Sequence, residues 1–432
     1  MTVSRRNILR LCASLPLLGA ARADARPVPG PDPLSNWSHF RSLFNLEPGI
    51  VHMSAMLLAS HPASVRAAIA RHQRALDADP VAYLEDHGPG LTEASREAAA
   101  DYLGIHPSRV ALTESTTMGV GLVYTSLQLT PDQEVLTTDE DYYVTHASLE
   151  QAARRTGAKM RRLSLFDDVG AVNAEQIVER ITSGIRPETR LLALTWVHSS
   201  TGLKLPVRDI ASALREINSS RDEADQVLFG LDAVHGFGVE TDSFSDTGAD
   251  FLMAGCHKWL FGPRGTGIAA ISSRGLAATR PTIPSFDESE VFSAWFMQRE
   301  PRGSNNGRRM TPGGFKAFEH RWALREAFQL HGMLGRTRVA SRTHELAGAL
   351  KDALAGVDRI TVRTPRDSAL SSGIVAFNVE GMSSAEMVSR LRDRNIVASV
   401  APYPSALVRL TPSIINTAAE IDQAVRAVRD SL

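Results

Sequence analysis

The feature that most constrains this chain is a series of short runs that stay largely apolar instead of alternating inside and outside. They lie at Arg109 to Leu112, Glu134 to Thr138, Thr189 to Val197, Gln226 to Asp232, Phe251 to Ala254 and Gly267 to Ile271. Helical patterns separate several of them, from Gly119 to Leu127, Thr145 to Thr156 and Val207 to Ile217. Strands buried on both faces and joined through helices predict a mainly parallel sheet, an α/β fold. Two further helices are expected ahead of it, over Ala63 to Leu76 and residues 93–103. Beyond about residue 300 the pattern changes. A long helix is expected from Phe315 to about Asp352 with a break near Gly332. It is followed by a strand from Ile374 to Val379, a helix from Ser384 to Arg394, a strand from Val408 to Thr411 and a helix from Ala418 to Leu432. That is a second, smaller α+β domain. The expected division is therefore a linker and amino-terminal segment over 26–62, a large domain over 63–300 and a small domain over 301–432. At 432 residues and 43% hydrophobic the chain has enough apolar material for both.

Charge removes several function classes. The formal net charge of -1 offers no electrostatic footprint for nucleic acid. Residues 1–25 read as a targeting segment: the twin-arginine pattern Ser4-Arg5-Arg6-Asn7-Ile8-Leu9-Arg10, an apolar run from Leu11 to Ala21, then small-x-small cleavage candidates. The run is too short to span a bilayer. The expectation is a protein carried by the twin-arginine export machinery to the periplasm, with a mature form that is not membrane-anchored. Removing Cys12 with the leader leaves Cys256 alone, which forbids an internal disulfide. No G-x-S-x-G, H-E-x-x-H, P-loop or Cys/His metal pattern occurs.

The stretch that carries chemistry is Ala254-Gly255-Cys256-His257-Lys258-Trp259-Leu260-Phe261-Gly262-Pro263-Arg264-Gly265-Thr266-Gly267. A lysine in an apolar strand-to-loop segment is unusual, and burial lowers its pKa so that a free amine becomes available for Schiff-base formation. Asp232 ends an apolar strand at the carboxyl edge, where α/β sheets bind ligands. An aspartate and a lysine so placed would hold a pyridinium ring between them. Each also has a plainer reading, Asp232 as a helix cap and Lys258 as a surface lysine. Thr113-Glu114-Ser115-Thr116-Thr117 stands between a strand and a helix, where backbone N–H groups and hydroxyls make an anion site, or merely a cap. Thr116 and Thr117 are the expected contacts, with Ser115 beside them. Arg409, flanked by Leu407, Val408 and Leu410, suits a substrate carboxylate. Arg302, Arg308 and Arg309 form either an anionic-substrate rim or a solvated charge run.

His257-Lys258-Trp259-Leu260-x-Gly262-Pro263-x-Gly265-x-Gly267 resembles the lysine motif of class V aminotransferases, pyridoxal 5'-phosphate enzymes of fold type I. Asp232-Ala233-Val234-His235-Gly236 is similar to the family's Asp-x-x-His segment. Trp196-Val197-His198-Ser199-Ser200-Thr201-Gly202 is similar to its segment beside the cofactor oxygen, and Val408-Arg409-Leu410-Thr411 with Asn416-Thr417 to its arginine motif. The likeness runs from about residue 50 to the end and is nearest to the isopenicillin N epimerase-like branch. The leader, with His52, Leu57-Leu58 and Ser60-His61-Pro62, is similar to a periplasmic subgroup that modifies the side chain of maturing pyoverdine siderophores.

The resemblance implies a large, mainly parallel seven-stranded sheet domain plus a small α+β domain, usually as a homodimer with active sites at the interface. It implies Lys258 as Schiff-base lysine and proton carrier, and His257 as a phosphate contact. An aromatic stacked on the ring would be Tyr142 ahead of Tyr143, while His235 and Ser199 would bond the ring oxygen. Thr311 would reach the phosphate of the neighbouring subunit, although Met310 stands where the family has glycine. Gly255 replaces a polar residue of the family, and Met53 to Leu58 replace a Gly-Ser-rich segment, so the mouth of the site is expected to differ. The expected substrate is a small molecule or peptide with a free amino group and a carboxylate. The expected reaction is transamination, with a C–S or C–N lyase or an epimerase as the alternative. A non-catalytic scaffold on the same fold is a further alternative. Cysteine desulfurases of this fold use a mobile-loop cysteine, which the chain lacks.

Overall fold

A computed structural model describes residues 36–432. The targeting segment and most of the proline-rich linker lie outside the described residues. The strands in chain order are β1 (Val51–His52), β2 (Val110–Thr113), β3 (Glu134–Thr138), β4 (Lys159–Leu163), β5 (Thr189–Thr195), β6 (Leu228–Asp232), β7 (Phe251–Gly255), β8 (Gly267–Ile271), β9 (Ile360–Val362), β10 (Val375–Val379), β11 (Ile396–Val397), β12 (Ser399–Val400) and β13 (Val408–Leu410). Seven of them form one sheet in the order β2-β8-β7-β6-β5-β3-β4. Every neighbour pair is parallel except the two made by β8, which runs antiparallel to β7 and β2. The fold is the expected α/β architecture of fold type I.

The apolar runs are apolar because each strand feeds two cores. Leu192 and Leu194 of β5, Phe229 and Leu231 of β6, Leu252 and Ala254 of β7 and Ile268 and Ala270 of β8 enter one cluster. The intervening Leu191, Ala193, Leu228, Phe251, Met253, Ala269 and Ile271 enter another on the opposite face. A period of two places neighbouring residues on opposite faces, and here both faces are covered. The edge strand β4, Lys-Met-Arg-Arg-Leu, has no buried residue and escapes the apolar pattern. Its charges suit an edge that must not pair with another chain.

The small unit is a four-stranded antiparallel sheet, β12-β13-β10-β9, packed against helices 336–355, 384–393 and 418–429. Two expectations change here. The segment from 315 to 352 is three helices, Phe318–Trp322, Leu324–Leu334 and Arg336–Ala355. The last break falls at Gly335, whose φ of 80° is the left-handed conformation that glycine permits, and not at Gly332. The packing boundary is not at 300/301 either. Leu324, Ala327 and Phe328 enter the core of the large sheet, whereas Leu346, Ala347 and Leu350 enter that of the small one. Val51 and Met53 join the small core as well, because β1 pairs in parallel with β11.

One turn ties the two units together beside the cleft. Gly202 has a φ of 76°, and an added Cβ there would collide with the backbone oxygen of Ile374. Thr364 Oγ1 donates to Thr201 O across the same junction at 2.6 Å. Gly202→Ala is therefore expected to lower stability by about 2–4 kcal/mol in urea unfolding, through overpacking and left-handed strain. Gly332→Ala, inside a helix and facing open space, is expected to be neutral or stabilising by up to about 1 kcal/mol.

Candidate active site

The parallel strands end on one side of the sheet, and the segments leaving them meet there. Thr116 and Thr117 follow β2, Tyr142 follows β3, Thr195 ends β5, Asp232 ends β6 and Lys258 follows β7. With Ser199, Val234, His235, Arg409 and Pro402 they line a cavity of about 130 Å3 that also meets Met56, Leu57 and Val144. Larger hollows of about 500 and 350 Å3 lie elsewhere. Prominent charged groups in them are already paired, Arg41 with Glu420 and Arg96 with Asp287.

Each functional side chain is held by local chemistry. Ser115 caps the helix Thr116–Ser126 by accepting from Met118 N at 3.1 Å, so its hydroxyl serves the fold and does not line the cavity. Thr116 Oγ1 accepts from Gly255 N at 2.7 Å, which ties the helix start to the lysine loop. A Cβ on residue 255 would sit 3.0 Å from both Thr116 Oγ1 and His257 Cε1, so a side chain there would require these two to shift by a few tenths of an ångström. Tyr142 is set by Asp141, a buried carboxylate. It accepts from Thr137 Oγ1 at 2.7 Å, from Thr138 N at 2.9 Å, from Thr138 Oγ1 at 2.8 Å and from Thr195 N at 2.6 Å. Tyr142 faces the cavity while Tyr143 is 67% exposed, which separates the two candidates.

Arg409 is buried and its fork is engaged. It donates from Nη1 to Ser199 O at 2.8 Å, from Nη2 to Val400 O at 3.0 Å and from Nε to Ser399 Oγ at 3.2 Å. Burial pushes its pKa down to about 10, so it remains a cation. Ser199 Oγ pairs at 2.8 Å with the hydroxyl of Tyr403, a contact 204 residues away in sequence that no local pattern announces. His235 Nδ1 accepts from Trp259 Nε1 at 3.2 Å.

Not every expected residue belongs to this site. Thr311 is fully buried elsewhere: its hydroxyl donates to Gly307 O at 2.8 Å and accepts from Leu112 N at 3.1 Å and Arg96 Nη1 at 3.0 Å. These three bonds commit its side chain inside its own subunit, next to the buried Met310, and so Thr311 is not offered to a neighbour's phosphate. Arg308 pairs with Glu93 at 2.6 Å and Arg309 with Glu288 at 3.0 Å, so neither forms a free anionic-substrate rim.

The residues present fit pyridoxal 5'-phosphate. His257 Nδ1 and Thr195 Oγ1 are buried without a partner among the described residues, one beside Thr116 and the other on the cavity wall. Unpaired buried polar atoms call for a partner, which a ligand in the adjoining cavity would supply. Thr116, Thr117 and His257 would meet the phosphate, Asp232 the ring nitrogen and Lys258 the aldehyde carbon. Burial raises the Asp232 carboxyl to about 6, against the pull of Val234 N and Lys258. Burial lowers the Lys258 amine to about 8, helped by Arg409 and opposed by Asp232.

Both shifts have a sign in stability. Between about pH 4 and 6 the folded state without cofactor keeps a proton on Asp232 that the unfolded state has lost, so stability falls as pH rises through that window. Lys258 acts in the opposite sense from about pH 8 to 10.5, where the unfolded state binds the extra proton and stability rises with pH. Asp232→Asn is expected to raise the stability of the cofactor-free chain at pH 7 by on the order of 2 kcal/mol and to flatten the slope between pH 4 and 6. Urea melts at each pH measure both.

Known proteins place this geometry. Residues 81–424 match the model of the aminotransferase class-V family. The isopenicillin N epimerase of Streptomyces clavuligerus is 28% identical over 400 residues, covering 91% of this chain and 98% of that protein. A solved complex of the cystine C–S lyase C-DES with cysteine persulfide superposes with a TM-score of 0.79 at 21% identity, over 90% of this chain and 99% of the other. A cysteine desulfurase from Escherichia coli gives a TM-score of 0.75 at 20% identity, over 92% and 98%. The lysine, aspartate and helix-capping turn gathered at one sheet edge suit a pyridoxal-phosphate-dependent enzyme, and the chain belongs to the class V aminotransferase family, on its isopenicillin N epimerase-like branch.

Proposed function

We propose that this chain acts on the amino group of an amino acid, free or carried on a peptide, by aminotransferase-type chemistry. The observation that carries the reading is that Lys258, Asp232 and Arg409 line one cavity, an amine, a carboxylate and a guanidinium in distinct roles. Bound there, pyridoxal phosphate supplies an electron sink for the bonds at the substrate's α-carbon. Arg409 would orient the substrate carboxylate, Asp232 would meet the ring nitrogen with its carboxylate, and Met56 and Leu57 limit water at the mouth. Lys258 Nζ, whose pKa burial lowers, takes the proton from the α-carbon and returns it, and the place of return decides the outcome. Epimerisation is the second reading, favoured by the full-length likeness to an isopenicillin N epimerase. A persulfide-carrying desulfurase is disfavoured because Cys256 is fully buried, and burial raises its thiol far above the usual range.

The twin-arginine pattern supports work after export, in the periplasm, on a substrate that reaches that compartment. The siderophore side chain is the substrate that the subgroup likeness suggests. A homodimer is supported by a set of exposed apolar side chains. Ile283, Phe286, Phe292, Trp295, Phe296, Met297 and Phe315 are each between 40% and 84% exposed. Exposed apolar side chains concentrated between residues 283 and 297, with Phe315 beyond them, suit an isologous contact with a second copy.

The purified chain loaded with pyridoxal phosphate is expected to show a visible absorption band that borohydride fixes covalently on Lys258. Lys258→Ala is expected to abolish the band, the adduct and turnover by at least about 10³-fold. With amino acids and short peptides offered in deuterium oxide, a keto product identifies transamination. An inverted, α-deuterated product without keto acid identifies epimerisation. Trp295→Asp with Phe296→Asp is expected to give monomers by light scattering.

A further inference from the structure

Trp259 stands immediately after the lysine, where its packing role is evident: it is 3% exposed and lies in the core beneath the sheet. Its indole nitrogen has a second consequence. An indole N–H donates and never accepts. The 3.2 Å bond from Trp259 Nε1 to His235 Nδ1 therefore requires a lone pair on Nδ1. A neutral imidazole with its lone pair on Nδ1 carries its proton on Nε2. An imidazolium would turn N–H against N–H at this contact, so the indole disfavours protonation as well as the other tautomer.

The surroundings act in the same sense. His235 is 3% exposed, and burial together with the nearby cations Lys258 and Arg409 holds its pKa well below the ordinary histidine value. Among the described residues Nε2 has no hydrogen-bond partner, and His235 is part of the cavity wall.

We propose that Trp259 is a positioning residue that fixes His235 as a neutral N–H donor toward the cavity, so that His235 hydrogen-bonds an anionic oxygen there and takes no proton from the substrate. The donor role rests on the cofactor reading, in which that oxygen is the ring oxygen; the tautomer does not. The assignment narrows the chemistry. With His235 unable to accept a proton through Nε2, proton removal from the substrate falls to Lys258, and an epimerase would have to find a second proton carrier elsewhere on the wall. Tyr142 is the cavity-lining side chain with a hydroxyl of suitable kind.

The test is histidine nitrogen NMR on the full chain, labelled with 15N-histidine, before and after loading with pyridoxal 5'-phosphate. The His235 signals are identified by their loss in His235→Gln. The expected result is one pyrrole-like Nε2 and one pyridine-like Nδ1 that stay unchanged from pH 6 to 8, with and without cofactor. Trp259→Phe, which keeps a ring but removes the donor, is expected to mix the tautomers. In the loaded enzyme it is expected to raise the pH midpoint of the visible band by at least about half a unit, since the oxygen loses a fixed donor. A protonated Nδ1 or an imidazolium in the wild-type chain overturns the proposal without needing the variant to fold. An unchanged tautomer and midpoint in folded Trp259→Phe overturns the role of Trp259. Failure of the chain to take up the cofactor would sink the functional reading while leaving the tautomer measurement intact.

Discussion

A carboxylate and an amine held in one poorly solvated cleft are the constraint on which this structure turns. Charged groups lose hydration when buried, and neither Asp232 nor Lys258 recovers it through a direct hydrogen-bonded pair. The scaffold tolerates this because the rest of the neighbourhood is already fixed. β6 is hydrogen-bonded on both sides, so Asp232 cannot retreat from the sheet edge. The loop carrying Lys258 is pinned through Gly255 to Thr116 on the neighbouring helix. Tension of this kind is usual where a site is built to receive a ligand that completes its charges.

The second organising element is the junction between the two units. The turn Ser199 to Gly202 belongs to the large domain, yet Arg409 and Tyr403 reach it from the small one. Arg409 is positioned by a carbonyl from each unit, so the substrate-facing guanidinium reports how the two are docked. Glu240 strengthens the same junction. It is buried and accepts from Lys204 at 2.9 Å, His344 at 2.9 Å and Ser372 at 2.6 Å, side chains drawn from both units. These bonds leave little freedom for the cleft to open at its base, whereas the mouth, with Leu57 and Leu58 about half exposed, is less constrained.

Much of this was legible along the chain. The boundaries of β3 and the end of β6 at Asp232 match the segments read along the chain, Glu134 to Thr138 and Gln226 to Asp232. Thr116, Thr117, Tyr142, Ser199, Asp232, His235, Lys258 and Arg409 were each identifiable and do share one cavity. Strand β4 and the first half of the helix Pro80–Leu103 were not legible. The former is an edge strand rich in arginine and lysine, and the latter carries Gly88-Pro89-Gly90 inside a helix, where local preference argues for a break.

Sequence alone determined the fold class, through strand runs and helical periodicity, and it named the cofactor and the candidate residues through residue types at strand ends and through motifs that resemble those of the class V family. Only the tertiary structure decided how those residues are used. Ser115 and Thr311 have the right hydroxyls but spend them on the fold. Tyr142 and not Tyr143 turns inward because Asp141 fixes the turn before them. Trp259 reaches His235, and Tyr403 reaches Ser199, across separations of 24 and 204 residues. A hydrogen bond is directional and effective over about 3 Å, so no spacing rule along the chain foretells which distant atoms it joins.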